Sequence, residues 1–441
     1  MTMRTLLLGA AAGLVTVGAA KAADLPMTKA EAVEYVKVCT EFGEGFFYIP
    51  GTDTCLKISG EIRADYRFQD RDNRGTDVTF FKTEPRLKFD ARTNTEYGTL
   101  RSYIQLNFPV SAGSVPGDQV GNTGVVVDKA FIQFGGLTAG YAHTFFGIYD
   151  ADYGNTIFAP YYSSQSTVNL LAYTAVFGGG FSATLSVEDG RDHRGFLYAG
   201  DAPPFTFNGN GYAGQSVPDI VGQLRIDGAW GEAALSGAAH QIRYGVTDLG
   251  VAVSPGGVGT VVGLNDNDAP DSEWGWAVAG SVGWNFPFMA GGHIVVEGTY
   301  ANGASNYLGL SANDSSFFPT DVGATDLGSG WSITGEIGAN VSPAVVVNVF
   351  GSYVDYSVGD AAGVANATPV LPIGLSTDFN ADFKQWVAGI NATYTVVPGL
   401  TVAGEVYYQS TDPDDVVQDG VVYSQDNSDH WAGGVRIKRI F

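Results

Sequence analysis

Apolar and polar residues alternate, one for one, in segment after segment of this chain, and this pattern limits the fold more than any other feature. In residues 56–68 (LKISGEIRADYRF), apolar Leu56 and Ile58 occupy even positions while charged Lys57 and Glu61 occupy odd ones. Because successive side chains of a β-strand point to opposite faces, the segment is predicted to be a strand with one apolar and one polar face. Glycine supplies 60 of 441 residues, about double its usual share, which further disfavours a helical protein.

Sixteen segments of this kind can be counted along the chain. They lie near residues 56–68, 80–93, 98–108, 125–135, 137–145, 171–177, 180–189, 219–228, 232–244, 273–285, 292–302, 330–340, 343–356, 382–396, 400–411 and 429–441. Their connections alternate between tight glycine-rich turns and long segments rich in Asp, Asn, Gly and Ser. An even number of strands with one rim of short turns and one of long loops predicts an all-β fold, a 16-stranded antiparallel transmembrane β-barrel.

A soluble β-sandwich is the alternative for any single alternating segment. Polar faces that carry Arg, Lys and Glu recur through the chain with no second core pattern, and this favours a barrel with a polar interior. Beyond the first 22 residues, no stretch approaches the roughly 18 consecutive apolar residues of a membrane-spanning helix. The chain is therefore expected to cross a membrane with strands.

The N-terminus has the composition of a secretory signal. Arg4 precedes an apolar run, and Ala20 and Ala22 are the small residues that a signal peptidase reads. We expect cleavage after Ala22, which makes residues 1–22 a signal peptide, residues 23–55 an N-terminal segment on the periplasmic side, and residues 56–441 the transmembrane barrel.

A basic ladder is predicted on the polar faces of the first three strands. Its eight cations are Lys57, Arg63, Arg67, Lys82, Arg86, Lys88, Arg92 and Arg101. A charge facing lipid at mid-depth costs about 2 to 4 kcal/mol, so these side chains should face the lumen. Glu61, Asp65, Glu84 and Asp90 interleave with them, which leaves two interpretations open. The ladder either consists of neutralised pairs that stiffen the wall, or it faces acidic residues across a pore.

Charge and motif content exclude several function classes. A formal net charge of -23 argues against nucleic acid as a partner, because phosphate binding needs a basic face. The five histidines are scattered and no catalytic motif has a meaningful spacing, so the chain is not expected to be an enzyme or to hold a cofactor. An outer-membrane lipase would need Ser and His on the lipid face, whereas the alternation directs His293 into the lumen.

The only two cysteines, Cys39 and Cys55, bracket fifteen residues before the first strand. In an oxidising compartment we expect a disulfide, which would stabilise by about 3 kcal/mol for a loop of this size. Two unpaired thiols are the alternative, and no metal site is expected, because two cysteines without a nearby histidine are incomplete as one. At the other terminus Phe441 ends an alternating strand, as expected for the residue that barrel-assembly machinery reads.

Four motifs together resemble a known family. VEYVKVC, GFFYIPGTDTCLKISGEIRADYRF, AFIQFGGLTAG and the following TFF are similar to sequences of alphaproteobacterial, Rhizobiales-type outer-membrane porins, over essentially the whole mature chain. The resemblance implies a homotrimeric general-diffusion porin of the outer membrane, in contact with lipid and lipopolysaccharide, that passes ions and small hydrophilic solutes. It also implies a third extracellular loop folded into the barrel, here Phe146–Leu170.

Asp150 and Asp152 are the only carboxylates of that loop. With Arg63, Arg86, Lys88 and Arg101 they form the predicted pore constriction, while Lys57, Arg67, Lys82 and Arg92 continue the lumen ladder. The interleaved acids cancel half of the ladder, Asp150 and Asp152 tilt the remaining balance, and the acidic long loops enrich cations at the entrance, so we expect a weak preference for cations. A substrate-preferring channel and an adhesin-like surface scaffold are the alternative functions.

Overall fold

The computed structural model shows a closed barrel of sixteen long strands, as predicted. It describes residues 37–70, 78–111, 124–150, 153, 156–158, 161–164, 166–194, 196–197, 214–243, 249–253, 259–263, 272–310, 320–322, 327–357, 382–418, 421–424 and 426–441. The predicted signal peptide lies outside these residues. No helix within the described ranges is long and apolar enough to cross a membrane.

The strands follow one another around the barrel in chain order. They are β1 (Cys55–Gln69), β2 (Thr79–Thr95), β3 (Gly98–Asn107), β4 (Val126–Phe134), β5 (Leu137–His143), β6 (Thr167–Gly178), β7 (Phe181–Glu188), β8 (Asp219–Gly228), β9 (Gly231–Ile242), β10 (Glu273–Asn285), β11 (His293–Asn302), β12 (Ser329–Ser342), β13 (Val345–Ser357), β14 (Phe383–Val397), β15 (Leu400–Pro413) and β16 (Ser428–Ile440). Each pairs antiparallel with the next, and β16 pairs with β1 from Ala432↔Gln69 to Ile440↔Glu61. The barrel therefore has no open edge.

Burial alternates along the strands as the sequence predicts. In β10 the outward Trp276, Val278 and Val282 are 45%, 44% and 49% exposed, while the intervening Ala277 and Ala279 are buried. A large apolar surface that faces outward on every second residue is stable only against lipid. The polar alternate residues therefore face the lumen.

A row of outward aromatic residues runs around seven consecutive strands, close to the rim that carries the long connections. Its members are Trp276, Tyr300, Trp331, Tyr353, Trp386, Tyr408 and Trp431. Cross-strand neighbours such as Tyr408 and Trp431 have ring centroids 4.8 Å apart. Such a girdle marks one membrane interface.

The start of the sixth strand was predicted wrongly, and with it the end of the third loop. Thr167–Leu170 belong to β6 and pair with His143–Gly140 of β5, so the loop comprises residues 144–166. Val168 and Leu170 are buried on the lumen side. Because the inward Val168 and Leu170 are apolar whereas the outward Asn169 is polar, this segment reverses the alternation, and its strand was not visible in the sequence.

Several long connections contain short strands that the sequence reading assigned to loops. Leu249–Val253 pairs with Gly259–Gly263, and Val416–Gln418 pairs with Val421–Tyr423. Two single-turn 3₁₀ helices, Gly190–His193 and Ser305–Leu308, lie in the fourth and sixth long connections, which follow β7 and β11. The long rim is therefore built partly of ordered secondary structure.

The barrel is closed at the C-terminus as well as along the strands. Phe441 exchanges two backbone hydrogen bonds with Gly60, at 2.9 and 3.0 Å. A Cβ atom at Gly60 would come within 2.5 Å of the Arg86 carbonyl oxygen and within 2.8 Å of the Phe441 ring, so the close approach of the neighbouring strand requires a glycine at this position. The role of Phe441 as an assembly signal remains a prediction.

Candidate functional site: the lumen wall and the third loop

All eight predicted ladder residues lie on the lumen-facing side of β1, β2 and β3, with carboxylates between them. Asp65 accepts two hydrogen bonds from Arg436 of β16, at 2.7 and 2.8 Å, and two from Arg67, at 2.7 and 3.2 Å. Glu84 bridges Lys82 and Arg86. Each of these carboxylates is therefore shared by two cations.

Glu61 and Asp90 repeat this arrangement nearer the rim of short turns. Glu61 pairs with Arg63 and lies 3.8 Å from Arg86. Asp90 receives Arg92 at 2.7 Å and Arg101 at 3.0 Å. A carboxylate has two oxygens and about four lone-pair sites, so it can hold two guanidinium groups at once.

Two ladder cations have no ion pair with any described residue. Lys88 lies on the lumen face of β2 between Arg86 and Asp90. The ammonium of Lys57 lies 5.8 Å from the centre of the Phe46 ring, a cation–π distance. Neither cation is neutralised by a described carboxylate.

The structure joins Cys39 and Cys55 in a disulfide, as predicted, with Cα atoms 6.0 Å apart. Both cysteines are fully buried, and Phe46 packs against them. The guanidinium of Arg92 lies 5.1 Å from the centre of the Phe46 ring. The disulfide-closed segment therefore packs against the lumen face of β1 and β2, beside the rim of short turns.

The third connection, residues 144–166, is held by single glutamates of the later strands. Glu297 of β11 accepts hydrogen bonds from the backbone N–H groups of Ile148 and Tyr149, at 3.0 and 3.3 Å. The Tyr149 hydroxyl donates to Glu336 of β12 at 3.1 Å. Burial raises the pKa of the Tyr149 phenol, so this donor keeps its proton at physiological pH.

The second half of the same connection is held by β15 and β14. Glu405 accepts hydrogen bonds from the N–H groups of Ile157 and Phe158, the latter at 2.9 Å. The Tyr162 hydroxyl donates to Gln385. Among the described residues, this part of the connection therefore contacts the lumen-facing sides of β11, β12, β14 and β15.

The beginning of the connection is fixed by a buried polar cluster. Thr144 donates to Glu188 of β7 at 2.7 Å, and Glu188 also contacts His193. His193 stacks on Tyr307 at 4.3 Å between ring centroids, and the Tyr307 hydroxyl donates to Asp219 of β8 at 2.8 Å. The fourth and sixth long connections therefore pack beside the beginning of the third connection and help to fix it.

An apolar core lies inside the barrel, between these connections and the wall. Phe146 and Tyr307 meet edge to face at 4.7 Å and are fully buried. Phe350 and Val354 of β13 contribute to the same cluster. The sequence reading did not predict a core in the lumen.

Four lumen-facing glutamates that bind the third connection were not predicted from the sequence. They are Glu188, Glu297, Glu336 and Glu405. Each is the only acid on the lumen face of its strand, and each is at most 5% exposed. The detectable signal was a single acid at an inward position of a strand with an otherwise mild polar face. Their partners in the third connection could not be predicted, because these backbone N–H groups and hydroxyl groups lie more than 40 residues away in the sequence.

A cavity of about 160 Å³ lies where the ladder meets the third connection. Its wall side is formed by Arg63, Asp65, Arg67, Lys82, Glu84, Arg86 and Arg436, and its loop side by Thr156, Ile157 and Phe158. The Arg67 guanidinium lies 4.8 Å from the centre of the Phe158 ring. The loop therefore contacts the ladder as well as the opposite wall.

The predicted constriction residues are only partly brought together. Arg63 and Arg86 line this cavity, whereas Lys88 lies beside it on β2 and Arg101 pairs with Asp90. Asp150 lies 3.5 Å from His143 and follows the residues that bind Glu297. Asp152 lies outside the described residues. His293 faces the lumen, as predicted, and contacts Glu336 at 3.0 Å.

Comparisons with known proteins agree with this architecture. The family model of the porin subfamily matches residues 24–434. Porin Omp2b of Brucella suis is 28% identical over 455 residues, covering all of both chains. Porin Omp2b of Brucella abortus (strain 2308) is 29% identical over 407 residues, covering 89% of this chain and 97% of its own.

Two solved structures share the fold. The outer-membrane channel DcaP of Acinetobacter baumannii superposes with a TM-score of 0.63 at 14% identity, over 89% of this chain and 99% of its own. An anion-selective porin from Comamonas acidovorans gives a TM-score of 0.52 at 12% identity, over 88% and 100% of the two chains. At these identities the likeness concerns the fold alone.

Proposed function

The chain belongs to the porin family, and on that premise we propose that it is a general-diffusion porin whose channel is narrowed by residues 144–166. It is a multi-pass β-barrel of the outer membrane that forms a water-filled channel for ions and small hydrophilic solutes.

The narrowing of the channel is supported by the loop contacts. Glu297 and Glu405 lie on the lumen faces of β11 and β15, and both accept backbone N–H groups of the third connection. A hydrogen bond to a charged group contributes about 1.5–3 kcal/mol, so four such bonds hold the loop firmly. The loop then crosses the interior and faces the ladder at Phe158.

We propose that the ladder has the main influence on the ions that pass through the channel. Arg63, Arg67, Lys82 and Arg86 line the cavity, and the same face continues toward the rim of short turns with Lys57, Lys88, Arg92 and Arg101. In a confined space with few counter-ions, fixed charges act strongly on a passing ion. We propose, as the sequence predicts, that Asp150 and Asp152 belong to the constriction.

A homotrimer in contact with lipid and lipopolysaccharide is also proposed. The strand lengths support a partner on one side: β5 and β7 have 7 and 8 residues, below the roughly 9–11 that a strand needs to span the hydrocarbon core. This part of the wall is too short to face lipid over the full depth. A second copy would cover it.

The contacts of the third connection with lumen-facing glutamates support this function most directly, and a liposome swelling assay tests it. Protein in liposomes is exposed to neutral sugars of rising size, which avoids any effect of charge at the cavity. The expected result is a swelling rate that falls smoothly with sugar size. Saturation of the rate by one sugar would instead indicate a substrate-specific channel, and no swelling would contradict an open pore.

A further inference from the structure

The cavity between the ladder and the third connection carries a surplus of positive charge. Five cations line it: Arg63, Arg67, Lys82, Arg86 and Arg436. The acids that pair with them are Glu61, Asp65 and Glu84. Five cations against three carboxylates leave two positive charges at this point of the lumen.

The three carboxylates are fully engaged by the wall. Asp65 lies between Arg67 and Arg436, and Glu84 lies between Lys82 and Arg86. Both are at most 7% exposed, so they face the cations rather than the open lumen. A solute in the cavity meets the outer side of the guanidinium groups.

Two of these guanidinium groups have donors to spare. Arg63 donates to Glu61 through Nε, and no described residue accepts from its two terminal nitrogens. Arg86 uses Nε and Nη2 on Glu84, which leaves Nη1 without an acceptor among the described residues. A guanidinium fork matches the geometry of carboxylate and phosphate oxygens.

The loop residues that line the cavity carry no charge themselves. They are Thr156, Ile157 and Phe158. The nearest acid behind these residues, Glu405, is 5% exposed and accepts the N–H groups of Ile157 and Phe158. Asp150 does not line the cavity.

We propose that this cavity is a transit subsite for small solutes that carry an oxyanion group, a carboxylate or a phosphate, with Arg63 and Arg86 as its donors. The proposal deepens the diffusion function proposed above and rests on it. It replaces the expectation of a weak cation preference, which gave Asp150 and Asp152 the deciding weight. Selectivity is set by the local charge at the narrow cavity, because the acidic outer loops face bulk salt and are screened within about 8 Å.

Reversal potentials in a KCl gradient across a planar bilayer test the subsite. The wild type is expected to favour Cl⁻, and Arg63→Gln and Arg86→Gln are each expected to lower the Cl⁻/K⁺ permeability ratio by about threefold through the lost Coulomb attraction. Lys37→Gln is the control. It removes one positive charge from an exposed residue of the N-terminal segment, outside the ladder and the cavity.

Inorganic phosphate and acetate, added separately, give a second readout. Each should reduce the Cl⁻ current of the wild type and of Lys37→Gln, but much less that of Arg63→Gln. Preference for K⁺ in the wild type, equal shifts for Lys37→Gln and Arg63→Gln, or no effect of either oxyanion would overturn the subsite. Swelling by neutral sugars in each variant shows that the barrel has folded. Sugar swelling without anion preference rejects the subsite alone, whereas loss of swelling in the wild type rejects the diffusion function.

Discussion

At the scale of single residues, the ladder is built from charges two positions apart on one strand. Glu61 and Arg63, Asp65 and Arg67, and Asp90 and Arg92 each form such a pair. Residues i and i+2 of a strand point to the same face, so the pairing follows from the alternation. The sequence allowed both a paired wall and a free basic face. The structure combines them, because most acids are shared by two cations and positive charge remains.

The disulfide is the second feature that single residues determine. In Cys39→Ser with Cys55→Ser, the free energy of opening of the N-terminal segment should fall by about 3 kcal/mol. The Cys39 N–H donates to Phe46 and the Tyr48 N–H donates to Lys37, so hydrogen exchange at both amides should accelerate.

Val38→Ser provides the control for this variant. Val38 is 68% exposed and adjacent to the disulfide, and its replacement should leave the two amides protected. Unchanged exchange in the double serine variant would mean that packing of Phe46, rather than the covalent bond, holds the segment.

At the scale of elements, the wall and the third loop depend on one another. Strand positions were predictable because alternation and turn residues are local signals. The beginning of β6 could not be predicted, because Val168 and Leu170 are apolar residues on the lumen face. The loop anchors were not predictable either, because Glu297 and Glu405 bind backbone groups that are distant in sequence.

The loop anchors can be tested one at a time. Glu405→Gln replaces an anionic acceptor by a neutral amide, and two charge-assisted hydrogen bonds are weakened. Hydrogen exchange at Ile157 and Phe158 should accelerate by at least about tenfold, and single-channel current should become noisier as the loop moves.

Glu232→Gln is the matched control for Glu405→Gln. Glu232 is a lumen-facing glutamate of β9 that pairs with Arg225 and has no bond with a described residue of the third connection. This substitution should leave the Ile157 and Phe158 amides protected from hydrogen exchange. If the Glu405 variant retains protection and a quiet current, the loop is held by its apolar core instead.

At the scale of the whole molecule, closure of β1 on β16 and the outward apolar face account for a membrane barrel. The two-residue period of the sequence and the even number of strands predicted both features. The balance of charge inside the barrel could not be predicted in this way. It depends on Arg436, which the chain brings back from β16 to Asp65 of β1 across most of the sequence. Only the closed fold places that fifth cation beside the ladder.

Single insertion events in a planar bilayer test the central claim, a water-filled channel in each subunit of a trimer, most directly. In KCl, each inserted particle should produce one discrete rise in ohmic current. At raised voltage, that current should close in three equal steps, one for each barrel. Closure in one step would contradict three pores in a particle, and the absence of discrete conductance would contradict the channel itself.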